Sequence, residues 1–155
     1  MRAIVRPVLA ASLLLAVAAG CQSRTPDATE ADAEIATAMV AGEQLATEAF
    51  GSGSSGIWVR HDYDEICLHC PDCLVTNVSM RVRGVHDVTA FDDVRSAAER
   101  LGWGAGETSA HFDGLVRWMD VEVGLDDDPV VEIMVFLDAS VLSVEFETGC
   151  YLPPE

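Results

Sequence analysis

Between Asp27 and Phe50 the apolar positions Ile35, Met39, Leu45, Ala46, Ala49 and Phe50 recur at spacings of three to four, with Asp32, Glu34, Glu43 and Glu48 between them. That period predicts one amphipathic helix over residues 27–50 whose apolar stripe packs on its own domain. Acidic side chains crowd its first turns, where they complement the positive end of the helix dipole. The run Gly51 to Gly56 contains only glycine and serine and stops the helix. Beyond it the period changes to two: Thr76, Val78, Met80 and Val82 alternate with Asn77, Ser79, Arg81 and Arg83, the pattern of a strand with one wet face. Ile57 to Leu68 and Leu74 to Arg83 therefore read as the arms of a hairpin around His69 to Cys73.

Thr89 offers its hydroxyl as an N-cap, with Asp92 three residues on, ahead of Phe91, Val94, Ala97, Ala98 and Leu101 on one face of a second, short helix that Gly102 ends. Three strands follow, Leu115 to Gly124, Val130 to Asp138 and Val141 to Glu147, the first two flanking a turn at Asp126-Asp127-Asp128-Pro129. Val131, Ile133, Val135 and Leu137 give the middle one a strong inner face, and Met134 and Phe136 on its other face suggest a central position. Helix, hairpin, helix and three-stranded meander in that order predict an α+β fold: an antiparallel sheet of about four to five strands with helices packed on one face. Residues 27–155 form a single domain, with the helix at 27–50, the Gly/Ser link at 51–56 and the sheet core at 57–155.

Ahead of the domain, Arg2 and Arg6 lead into the apolar run Val8 to Ala19, and Ala18-Ala19-Gly20 ends on Cys21. A cationic start, an apolar middle shorter than the ~20 residues of a membrane span, and small residues before a cut site make a secretion signal over residues 1–20. The segment resembles a bacterial lipoprotein signal, although Ala18 stands where that motif most often has leucine. The resemblance implies thioether lipidation of Cys21 by a diacylglycerol, cleavage before it, and further acylation, such as by palmitate, of the new amino group. Residues 21–26 then form a lipidated tether. Two or more acyl chains hold a protein stably on a bilayer where one is marginal. The chain is expected in the cell envelope, lipid-anchored on the outer face of the cytoplasmic membrane.

Charge narrows the partners. The whole chain carries 26 acidic and 9 basic residues, a formal net charge of −17; removing residues 1–20 with Arg2 and Arg6 leaves −19, without a single lysine. Such a surface repels nucleic acid and anionic headgroups, which depend on Lys and Arg to displace counterions. The acidity suits solubility in an exposed compartment or in high salt.

Besides Cys21, the cysteines are Cys67, Cys70, Cys73 and Cys150, an even number in a chain bound for an oxidising compartment, where disulfides are the default. Three connectivities are open. Cys67 with Cys150 and Cys70 with Cys73 is the preferred one, because Cys67 and Cys150 each end a strand and Pro71 turns the chain between Cys70 and Cys73. The sharper alternative is a soft-metal site, with three thiols at two-residue gaps, His69 among them and Cys150 completing the shell. A chain exported past oxidants loses such thiolates to disulfides before it meets metal. Thiol exchange at Cys70-Pro71-Asp72-Cys73 is the third reading, but a reactive C-x-x-C opens a helix, and this one runs into the strand-like Leu74 to Val78.

Other candidates are weaker. Asp126 to Asp128 lacks the alternating carboxylates and closing glutamate of a calcium loop. His61, His69, His86 and His111 share no ligand spacing, and no Gly-x-Ser-x-Gly elbow occurs. Trp58, Trp103 and Trp118 read first as core anchors and second as a binding surface. No catalytic residue and no cofactor is expected.

Cys21, the helix 27–50, Trp58 with Cys67, Leu101-Gly102-Trp103 and the closing Gly149-Cys150 together resemble small uncharacterised lipoproteins of high-GC Gram-positive bacteria. The resemblance implies an exported α+β domain with a disulfide from an early strand to the last one. Cys70 and Cys73 depart from that pattern. The expected function is a non-enzymatic binding or scaffolding module of the cell envelope, its ligand or protein partner open. The alternative is a thiol-redox or metal-handling lipoprotein using Cys67, His69, Cys70 and Cys73.

Overall fold

The structure, a computed structural model, describes residues 25–63, 67, 70, 72–111, 113–124 and 131–154. Helix α1 spans Ala28–Phe50. Asp27 starts it with a capping box: its carboxylate accepts the N–H of Thr29 and of Glu30, and the Glu30 carboxylate accepts the N–H of Asp27. Gly51, at φ 91°, ends it in a backbone region that side chains other than glycine avoid. The Gly/Ser segment that follows is docked, since the buried Ser54 hydroxyl donates to the carbonyls of Ala46 and Gly51 and the Ser54 carbonyl accepts the Arg83 N–H.

Strands β1 (Trp58–Tyr63), β2 (Val75–Arg81), β3 (Gly104–Ala105), β4 (Ser109–His111), β5 (Val116–Val123), β6 (Val131–Asp138) and β7 (Val141–Glu147) form one seven-stranded sheet. Its order is β1-β2-β7-β6-β5-β3, with β4 also on β5, and every pairing is antiparallel. The fold is thus α+β on an antiparallel sheet, but larger than the four to five strands expected. The additional strands, β3 and β4, are two and three residues long and lie in the glycine- and serine-bearing stretch after the second helix. Too short to show an alternation, they are strands because β5 offers a free edge.

Helix α2 spans Ala90–Leu101 and closes at Gly102 in the left-handed conformation, φ 77°. Its start differs from the expected cap. Thr89 makes no side-chain bond to the helix; its hydroxyl and its N–H both donate to Asp87, which has taken over as the local acceptor.

Both helices cover the same face of the sheet. Ile35, Ala38 and Leu45 of α1 and Phe91, Val94 and Ala98 of α2 share a buried cluster with alternate residues of four strands: Val78 and Met80; Met119, Val121 and Val123; Ile133, Val135 and Leu137; Leu142, Val144 and Phe146. The register aligns them: Val144 faces Met80 on one side and Val135 on the other, and Met119 faces Val135. A period-two sheet buries one set and turns the other outward. Trp103 is buried in this core and Trp58 packs against it, as expected. Trp118 does not: it lies in β5 between the inward Met119 and its neighbours, half-buried on the opposite face.

Candidate functional site

The cysteines gather at the end of the domain where α1 begins. Tyr151 pairs with Leu74 through two backbone hydrogen bonds, of 2.9 and 3.0 Å, and the Leu152 N–H reaches the Pro26 carbonyl at 2.9 Å. Residues 151–152 are thus threaded between the start of β2 and the entry to α1. Cys150 sits immediately before them and is bonded to Cys67, with 6.2 Å between their Cα atoms. Cys70 and Cys73 form the second disulfide, Cα atoms 5.3 Å apart. The turns between them are tight, Cys70 N–H to the Cys67 carbonyl and Cys73 N–H to the Cys70 carbonyl. Cys67, Cys73 and Val75 are buried together, with Tyr63, Cys70 and Cys150 packed around them.

A polar network adjoins these disulfides. Thr76, fully sealed from solvent, receives a hydrogen bond from the Thr148 side only at its backbone edge: the Thr76 N–H donates to Thr148 Oγ1 at 2.9 Å and the Thr148 N–H returns to the Thr76 carbonyl. The Thr76 hydroxyl donates to Asp62, so the buried Tyr151 hydroxyl, 2.6 Å away, is the group that donates to Thr76. Asp62 also accepts from Arg60 Nε at 2.8 Å, and Arg60 extends to Asp32 of α1 at 2.8 Å. The Thr76 hydroxyl first, and then the Arg60 guanidinium, hold the Asp62 carboxyl below the usual carboxylate range. Asp62 and Asp32 in turn hold the Arg60 guanidinium firmly protonated. Tyr63 of β1 donates its hydroxyl across β2 to Glu147 of β7.

All four of these cysteines are therefore consumed as disulfides, and none is available as a thiolate ligand. Cys73 is buried and Cys70 half-buried, so a thiol reagent would meet Cys70 first. Among the described residues no group of three or more His, Cys, Asp or Glu side chains could hold a metal ion. His69, Cys21 and the turn at Asp126 to Asp128 lie outside the described residues. His86 meets the Phe50 ring at a tilt, centroids 4.7 Å apart, and His111 meets Trp118 edge-on at 6.1 Å, so these two are apart from the cysteines and from each other's surroundings.

Thr76, Thr148, Tyr151 and Asp62 are the members that sequence reasoning missed. Thr76 carried one signal, its place on the inward side of an alternation otherwise filled by Val78 and Met80; a polar residue there needs a partner. The partners come from residues 14 and 75 positions away, which no local pattern reveals.

What fold and site define is a small two-layer α+β domain closed by disulfides where its first helix and last strand meet. No protein-family model, characterised protein or solved structure matches the chain. Among the described residues no helix is long and apolar enough to cross a membrane.

Proposed function

We propose that the chain is an exported lipoprotein, anchored through acyl chains on Cys21, whose folded domain serves the cell envelope as a non-enzymatic binding or scaffolding module. The observation that carries the reading is the junction between tether and domain. Asp27 caps α1 six residues after Cys21, and the Leu152 N–H fastens the adjoining Pro26 to the disulfide-bonded end of the fold. Six residues span at most roughly 20 Å. The anchor would therefore hold the disulfide end toward the bilayer and the remainder of the sheet away from it.

The paired cysteines support a structural role at that end over redox or metal chemistry, since an oxidising compartment favours both bonds. The intact mass of protein extracted from membranes tests the reading. The expected species begins at Cys21, carries a diacylglycerol and an acyl chain, and gains four mass units on reduction of two disulfides. A species retaining residues 1–20 in the aqueous phase of a detergent partition defeats the anchor. Free thiols at Cys70 and Cys73, or bound zinc, would replace the binding module with the thiol-redox or metal-handling alternative.

A further inference from the structure

The face of the sheet opposite the helices has a composition of its own. Trp118 and Phe136 are direct cross-strand partners, Met134 is two residues from Phe136, and all three are half-buried although no helix of the described residues lies over them. Around them the same face carries Asp120, Glu122, Glu132, Asp138 and Glu145, with Arg81 as the guanidinium among the described outward residues of β2, β5, β6 and β7. Aromatic and methionine side chains ringed by charge are the make-up of an interface core and its rim.

At one end of this face the register sets Glu122 directly opposite Glu132, and neither carboxylate is in an ion pair with the described residues. Like charges placed so cost stability. Beside them a hollow of about 290 Å³ is lined by Gly104, Ala105, Gly106, Asp120, Glu122 and Glu132. The glycine leaves that room: a Cβ on Gly104 would stand 3.5 Å from Glu122 Oε2. The space exceeds the ~30 Å³ share of one water several-fold, enough for an ammonium or guanidinium group.

We propose that this face docks an extended basic segment of a partner polypeptide, its apolar side chains covering Trp118, Phe136 and Met134 and one lysine or arginine entering the hollow at Glu122 and Glu132. Trp118 and Glu122 point the same way along β5, four residues and so roughly 13 Å apart, a span for a peptide and not for a lone ion. A second copy of this chain does not fit, because pairing the faces would set carboxylates against carboxylates. Anionic lipid is disfavoured by the same repulsion. The inference supplies the partner class for the binding module proposed above; it rests on that reading but not on the lipid anchor.

The test titrates a labelled ten-residue peptide of alternating lysine and leucine against the mature protein in zwitterionic nanodiscs, with empty nanodiscs as the blank. Glu122→Gln with Glu132→Gln should weaken binding by about tenfold or more, and Phe136→Ser by about fivefold or more, as losses at the centre of an interface do. Neutralising Glu34 and Glu99 on the helices, the same change of charge elsewhere, should alter it less than about twofold. Thermal melts accompany each variant; the Gln pair removes a repulsion and should melt no lower than the parent, so its binding loss is not a folding loss. Absence of binding, equal losses from the two neutralised pairs, or an unchanged Phe136→Ser overturns the proposal. Protein that fails to enter nanodiscs refutes the anchor instead, and the same titration then proceeds in free solution.

Discussion

The hydroxyl of Tyr151 lies 2.6 Å from that of Thr76, both sealed from solvent and 75 positions apart in the chain. The Thr76 proton is committed to Asp62, so the bonds run from Tyr151 to Thr76 to Asp62 and link the segment after β7 to β2 and β1. Tyr151→Phe removes one donor and should cost about 1 kcal/mol. Thr76→Val strands the buried Tyr151 hydroxyl and should cost about 1–3 kcal/mol. Chemical denaturation of both single variants and the double variant checks this. A double variant as costly as the two singles combined would mean that the two hydroxyls are not coupled.

The two disulfides should be unequal in their contribution to stability. Cys67 and Cys150 are separated by 83 positions, and Cys70 and Cys73 by 3. In the chain-entropy account the long bridge is worth about 4–5 kcal/mol and the short one about 2 kcal/mol. Replacing Cys67 and Cys150 by serine should therefore lower the melting temperature by roughly 15–25 °C, and replacing Cys70 and Cys73 by less than about 10 °C. Equal drops in calorimetry would show that the short loop is worth more to the native state than its closure entropy.

Asp62 makes stability depend on acid. Its carboxyl is held below the usual range by the Thr76 hydroxyl and the Arg60 guanidinium. A depressed carboxyl stabilises the fold fully above its unfolded pKa of about 3.9 and loses that contribution as pH falls through the lower folded value. Asp62→Asn should be less stable than the parent at pH 7, with the gap closing below about pH 4. Paired melts at pH 7 and pH 3 report it; a gap that does not shrink between pH 7 and pH 3 would assign the effect to packing.

Gly42 stands inside α1, where alanine is ordinarily better by about 1 kcal/mol. A Cβ there would lie 2.9 Å from two atoms of the Trp58 ring and 3.0 Å from Val144 Cγ1. Gly42→Ala should thus destabilise by about 1–3 kcal/mol, as overpacking does, and shift the tryptophan emission as Trp58 is displaced. A more stable variant with unchanged emission would show that the ring yields freely.

Much of the fold was legible along the chain because it is written in local period. The stripe through Ile35 and Leu45, the alternation from Val78 to Val82 and the inner faces of β6 and β7 each repeat at the spacing of the element they form. The capping of α2 was misread because Thr89 and Asp87 compete for the same role two residues apart, and the competition is settled by geometry. Trp118 was misplaced for a related reason: a tryptophan in a strand is equally apolar on either face, and which face is covered depends on where the helices lie.

By itself the sequence determined the two helices and the five longer strands, their antiparallel company and the acidity of the surface, because periodicity and charge are local sums over neighbouring residues. Tertiary structure alone decided that β3 and β4 are strands, that Thr76 finds Asp62 and Tyr151, that Glu122 stands against Glu132, and that Trp118 faces outward. Each of these depends on groups brought together from distant parts of the chain, and such contacts follow from register and packing, which no window of neighbouring residues contains.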